Sequence, residues 1–325
     1  MEQARGWWGI RLRPAVALLA AAYATYTAVW SYISLLRLFS LNAFVLDLGV
    51  NMQFAWDAVL RATPGSVLRD LALKGIVYAV APVFLTGSYP AVLIFQSAFI
   101  GLGALPLFGI ARHYLRDDAP SLLVAASYLI YFPLAGVNWF DFHYQALFPT
   151  LFLLGYYFYL RGRRIPAFAS MALSGLTHYP YTVFPLMFSM MLLLGRNRRR
   201  DAPLAVPLLA FTIAIFALNV ALSGVWGASL GTIGGASGQP AALAQQDALT
   251  LLLILLPLLM LPLLSRWAIF LLPYVALILT SDYPFYRSPL LFMYQYPALF
   301  VAFVFLGAIE GIALLGRGRR RRILI

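Results

Sequence analysis

Polar residues along this chain fall in short clusters, and the stretches between them are apolar on every face. Such runs show neither the stripe of a helix lying on a soluble core nor the alternation of a half-buried strand. Several approach the length of about 20 residues that carries a helix across a bilayer. The pattern predicts spans at 14–38, 89–111, 119–137, 146–160, 165–178, 180–195, 202–223, 248–264, 267–280 and 290–315. The expected fold is all-α: a polytopic transmembrane helical bundle of about ten spans. It has about eight if 165–195, interrupted by "THYPYT" with Pro180, is a re-entrant pair. Two further segments, "LDLGVNMQFAWDAVLRA" from 46 and "GIVYAVAPVFL" at 75–85, read as interfacial helices.

One integral membrane domain, 1–325, therefore accounts for the whole chain. Its parts are a retained first span (14–38), a long loop with interfacial helices (40–88), central spans (89–223), a Gly-rich loop (224–247), and C-terminal spans with a basic tail (248–325). Composition agrees: 62% of residues are hydrophobic and only 10% charged, with a mean hydropathy of +0.84. Cysteine is absent, which removes disulfides, thiolate nucleophiles and cysteine metal sites.

The net charge of +12 would suggest nucleic acid until the charges are placed. With both termini inside, every basic residue except Arg37, Arg61, Arg69, Lys74 and Arg287 falls on the inner side. That is the positive-inside distribution. The basic excess then signals topology and contact with anionic lipid heads at the inner face, not nucleic acid. The expected location is the cell membrane, multi-pass.

The same count puts the rare polar side chains on the outer side. "NWFDFHYQALFP" (138–149) carries Asp141 and His143 among aromatics, and "LTHYPYT" carries His178. Asp47 precedes a helical stretch, while Asp282 and Arg287 stand in "SDYPFYRSP". Uncommon polar groups gathered at one face of a bundle suggest a site. Each also has a plain role. Asp47 suits an N-cap, and Gln53, Asp57 and Arg61 suit the solvated stripe of one helix. Asp141 and His143 suit a water-facing loop, His178 a helix break, and Arg287 a snorkelling position. No phosphate-binding loop, zinc helix, nucleophile elbow or N-glycan sequon occurs in the sequence.

The order of motifs resembles a family of predicted membrane proteins known as domain of unknown function 2079. Its "FDLG…Q…W" pattern is met by Asp47, Leu48, Gly49, Gln53 and Trp56, its Ala-Pro run by "VYAVAP", and its "FDFH" box by Phe140 to His143. Tyr144 and Gln145 stand where the box continues Pro-Glu, and Lys74 stands near an expected His. A Lys-Glu-Asp trio is replaced around His178, and a late His-Tyr pair reads Gln295-Tyr296.

That family is similar to the C-type glycosyltransferase fold. The resemblance implies transfer of a sugar or similar group from a polyprenyl-phosphate donor at the outer face. It makes Asp47 a catalytic carboxylate or metal ligand. Asp141 and His143 would orient the acceptor or join Asp47 on a divalent cation. Gln53, Trp56, Lys74, His178, Asp282, Arg287 and Gln295 are the expected substrate-binding residues, with Lys74 or Arg287 as phosphate clamp. The rival expectations are a transporter or lipid-handling protein without bond chemistry, and an inactive scaffold of the same fold.

Overall fold

A computed structural model describes residues 14–43, 45–223, 240–281, 283–287 and 290–323. Among the described residues every regular element is helical. The first helix, α1 (Pro14–Phe39), turns Val16, Leu18, Val29, Tyr32 and Leu36 outward. It buries Leu19, Tyr26, Ser31, Ser34 and Arg37 against its neighbours. After it come α2 (Val45–Leu60), α3 (Pro64–Lys74) and α4 (Val77–Phe84). The start of α3 is fixed locally: Thr63 and Ser66 exchange capping hydrogen bonds and Pro64 supplies a preset φ.

Next are α5 (Tyr89–Leu102) and α6 (Ala104–Leu115), which together form one long apolar rod over Tyr89–Leu115. The helices α7 (Asp118–Leu129) and α8 (Phe132–Trp139) meet at a 43° bend. Pro133 explains the break, because it has no N–H to offer to Leu129. The series continues with α9 (Phe148–Leu160), α10 (Arg164–Gly175), α11 (Val183–Leu194) and α12 (Arg198–Ser223). It closes with α13 (Pro240–Leu255), α14 (Leu272–Thr280) and α15 (Val301–Ile323).

Three described helices are long and apolar enough to cross a membrane: α1, the α5–α6 rod and α12. The bent α7–α8 pair makes a fourth if it is one span. The other expected spans are shorter or broken. Twelve residues each in α10 and α11 give about 18 Å, well under the ~30 Å hydrocarbon layer. The 248–264 segment stops being helical at Leu255, since Pro257 and Pro262 leave only 3₁₀ turns with Leu259 and Met260 at positive φ. The 267–280 segment begins as a 3₁₀ turn. The 290–315 segment is 3₁₀ turns until Val301, where Pro297 has no N–H to donate. At its near end, the stretch read as a loop over 224–247 is helical from Pro240, and 224–239 lies outside the described residues.

Two cores hold these pieces. In the larger, Phe148, Phe152, Phe184, Phe188, Trp267 and Phe303 pack ring on ring between α9, α11 and α15. Lipid offers little hydrophobic drive for such packing, so ring geometry matters, at about 0.5–1.5 kcal/mol per favourable pair. Gly311 lets the Pro262 turn close on α15: a Cβ there would stand 2.6 Å from the Leu261 carbonyl. The smaller core gathers Leu48 and Met52 of α2, Val77 and Phe84 of α4, and Phe142, Tyr144 and Leu147 of the "FDFH" box. That core brings the front loop onto the box.

Candidate functional site

The box itself is a buried loop, not a water-facing one: residues 140 to 153 are all buried. α8 ends at Trp139, Phe140 turns to extended backbone, and a 3₁₀ turn at Tyr144–Leu147 leads into α9. Buried loop backbone needs partners. Gln96 of α5 supplies two of them, donating from Nε2 to Phe140 O (3.0 Å) and accepting from His143 N (3.2 Å). Asn51 of α2 donates to Phe142 O (2.9 Å), and Tyr144 returns a bond from its hydroxyl to Asn51 O (3.0 Å). Gly136 lets α8 lie against the backbone of Phe292, where a Cβ would meet the carbonyl at 2.1 Å.

This scaffold aims His143 at α2. Its Nδ1 donates to the Asp141 carbonyl at 2.8 Å, leaving Nε2 facing Oδ1 of Asp47 at 3.8 Å. Burial pushes the His143 pKa down, opposed by that carbonyl and by Asp47. The imidazole therefore favours its neutral form, with a lone pair on Nε2. Asp47 is not an N-cap: α2 already begins at Val45, and Asp47 lies within its first turn with a partly exposed carboxylate. The charge suits that end of the helix dipole.

Lys74, at the end of α3, donates from Nζ to Asn51 Oδ1 (3.3 Å). Its ammonium also lies over the rings of Phe54 and Tyr144 at 5.5 and 5.7 Å. Burial lowers its pKa, and the Asp47 carboxylate opposes that shift. Asn51 thus joins Asp47, Lys74 and the box in one network. Sequence reasoning passed over it.

Beside this network opens a cavity of about 620 Å³. Lys74, His143, Gln145, His178, Gln295 and Tyr296 line its polar side. Val183, Phe216, Leu277 and Leu299 form an apolar wall. Three buried polar atoms on its lining, Gln145 Oε1, His178 Nδ1 and Gln295 Oε1, have no hydrogen-bond partner among the described residues. Such groups are costly when left unpaired, so a polar ligand in the cavity would satisfy them. Burial, with Lys74 and His143 nearby, pushes His178 down to about 3, so it is a neutral donor or acceptor.

The remaining expected residues lie elsewhere. Asp141 is not on the cavity lining and faces Arg37 of α1, Nη1 to Oδ1 at 3.7 Å, with both side chains nearly buried. Arg37 also donates to the Trp139 carbonyl and stacks on its ring. Arg287 does not snorkel: it is 3% exposed, bonded to Asp247 Oδ1 at 2.7 Å and to the Ile278 carbonyl. Gln53 is exposed on the far face of α2, and Trp56 donates to Phe84 O. Asp282 lies outside the described residues.

A divalent cation does not fit this donor set. Asp141 is turned to Arg37, Lys74 already sets a positive charge beside Asp47, and no group of three or more His, Cys, Asp or Glu comes together among the described residues. Hard cations prefer six or more oxygen ligands.

The profile of a family described as predicted membrane protein, DUF2079, matches residues 37–226, more than half of the chain. The chain belongs to the DUF2079 family. The matched region runs from Arg37 through α12, so it contains Asp47, Lys74, the whole box and His178. Gln295, Tyr296 and Arg287 lie past its end. No curated protein and no solved structure matches this DUF2079 member.

Proposed function

We propose that this DUF2079 protein is a multi-pass protein of the cell membrane that transfers a sugar or similar group from a polyprenyl-phosphate donor to a hydroxyl acceptor at the outer face. The reading is carried by one observation: the Asp47–His143 pair stands beside the Lys74 ammonium at a cavity on whose lining three buried polar atoms, of Gln145, His178 and Gln295, lack a hydrogen-bond partner among the described residues. A volume of about 620 Å³ lies in the range of small-molecule sites. Gln, His and Tyr side chains suit sugar hydroxyls. The wall of Val183, Phe216, Leu277 and Leu299 suits the first isoprene units of the donor.

In this reading the acceptor hydroxyl sits between Asp47 and His143 Nε2. Asp47 takes its proton as the oxygen attacks the anomeric carbon. The bond from that carbon to the phosphate oxygen breaks, and the polyprenyl phosphate leaves with the electron pair. Lys74 holds the charge that grows on it. No step passes through a metal.

The test is incorporation of labelled sugar from a panel of polyprenyl-phosphate sugars by purified protein in lipid. Transfer by the parent and its loss in Asp47→Asn is the expected result. Equal transfer by both would remove Asp47 from the chemistry. No transfer from any donor by the parent, together with saturable uptake of a polar solute into proteoliposomes, would give the cavity to a transporter instead.

A further inference from the structure

A second cavity, of about 880 Å³, lies at the other end of the α9–α12 bundle. The chain direction sets the two apart. α9 runs from the box to Leu160, and α11 runs from the His178 turn to Leu194. The first cavity thus sits where these helices begin and the second where they end. The second is lined by Arg163, Arg164, Arg196, Arg200 and Arg266, with Asp201 as the acid on its lining. Tyr114, Tyr156 and Tyr159 add phenol groups, while Leu160, Ile165, Met191 and Leu192 form its apolar side.

The positive-inside rule explains why arginines collect at this end. It does not explain why they surround a cavity. Arg200 is held by Asp201 (3.0 Å) and Tyr159 (3.3 Å), and Arg266 by Glu310 (3.3 Å). Arg164 donates to the Arg200 carbonyl at 3.3 Å. Neither Arg163 nor Arg196 forms an ion pair with an acid among the described residues. The first turns of α10 and α12, at Arg164 and Arg198, begin at the same place and add the positive ends of two helix dipoles. Guanidinium forks of this kind match phosphate oxygens two at a time.

We infer that this cavity is an anion site for a phosphate mono- or diester, with Arg163 and Arg196 as the principal clamps. The chemistry is shared by an anionic phospholipid headgroup, entering past Ile165 and Leu192, and by a soluble phosphoester. It does not depend on the reading of the first cavity.

The test uses the intact protein in phosphatidylcholine nanodiscs. Three probes are added separately: phosphatidylglycerol in the bilayer, glycerol 3-phosphate in solution, and inorganic phosphate. Thermal midpoint and retained lipid by native mass spectrometry are the readouts. Arg163→Gln/Arg196→Gln is compared with Arg161→Gln/Arg199→Gln, which removes the same charge at the same end from residues outside the lining.

The expected result is a phosphatidylglycerol-dependent rise in the parent and the control, with affinity roughly tenfold lower in the cavity variant. A rise with glycerol 3-phosphate and none with phosphatidylglycerol would keep the site and make its ligand soluble. Equal losses in both variants would reduce it to diffuse surface charge and overturn the proposal. So would a parent that responds to no probe. Should the Gln variant fail to insert, Arg163→Lys/Arg196→Lys keeps the charge and removes the forks, and parent-like affinity in it would also count against the clamps.

Discussion

His143 Nε2 stands 3.8 Å from Asp47 Oδ1, although six helices, α3 to α8, separate α2 from the box in the chain. The gap is too long for a hydrogen bond and short enough for a hydroxyl beside it to donate its one proton to either group. Two acceptors facing a common point, one a carboxylate and one a neutral imidazole, form a place to leave a proton.

Asp47→Asn keeps the shape of the side chain and removes its charge. As a structural element Asp47 contributes a first-turn charge on α2, typically about 0.3–1 kcal/mol. The variant should therefore fold and insert with little change in thermal midpoint. Its transfer rate should fall by about 10² to 10⁴, the usual scale for a lost general base. Asp57→Asn is the control, since its exposed pair with Arg61 at 3.1 Å contributes only a few tenths of a kcal/mol. A matching loss in both variants would mean that charge near α2, and not the dyad, is what matters.

Lys74→Met should separate binding from chemistry. Burial already disfavours this ammonium, and Met retains most of the apolar stem against Phe54 and Tyr144. Stability should hold or rise. Half-saturation by a polyprenyl-phosphate sugar should increase by roughly ten- to a hundredfold, as expected for the loss of a charge-assisted contact. Unchanged half-saturation in steady-state kinetics would remove Lys74 from the phosphate.

The chemistry-bearing motifs were legible in the sequence to differing degrees. Asp47, His143 and His178 stood out because polar residues are scarce in so apolar a chain, while Gln295 was marked only by the family resemblance; the fold brings His143, His178 and Gln295 to one cavity with Asp47 at its side. Asn51 was hidden by the more regular Gln53, Asp57, Arg61 stripe, which turned out to be the exposed face of α2. The spacing of Asp47 and Asn51, i to i+4, was the signal that places both on the inward side. Asp141 and Arg287 read as site residues, but each had a distant partner of opposite charge. Arg37 comes from the end of α1 and Asp247 from α13, within a stretch that looked like loop. No local pattern announces such pairs. Helix lengths failed for a similar reason: hydropathy marks a run such as 248–264 as continuous, while Pro257 and Pro262 break the helix inside it.

Arg37→Met tests the lock on the box. It leaves the Asp141 carboxylate, 2% exposed, without the guanidinium, and takes the donor from the Trp139 carbonyl. Breaking one side of a buried pair costs about 3–5 kcal/mol. The thermal midpoint should drop accordingly, with little dependence on salt, since buried pairs are poorly screened. Adding Asp141→Asn should recover part of the loss, because the stranded charge is gone; non-additivity of this kind marks groups in contact. Simple additivity of the two substitutions would show that the pair contributes no coupling.

Sidedness decides whether the first cavity opens outward. The parent has no cysteine, so single cysteines report without background. Arg61 follows α2 and Arg199 lies in the first turn of α12, and both are exposed. The basic residues flanking α6, α9, α10, α11 and α12 gather at the end where Arg199 lies, and positive charge is retained on the cytoplasmic side. Arg61→Cys should react in intact cells with a membrane-impermeant maleimide, and Arg199→Cys only after the cells are opened. The comparison is internal, because both positions are water-accessible once the membrane is breached. Labelling of Arg199→Cys but not Arg61→Cys in intact cells would invert the protein. Asp47 and Lys74 would then face the cytoplasm, where the proposed outer-face reaction could not occur, and the arginine cavity would open outside. Labelling of both would mean that the two ends are not separated by a bilayer, against the three long apolar helices, and would undo the division on which both site proposals are placed.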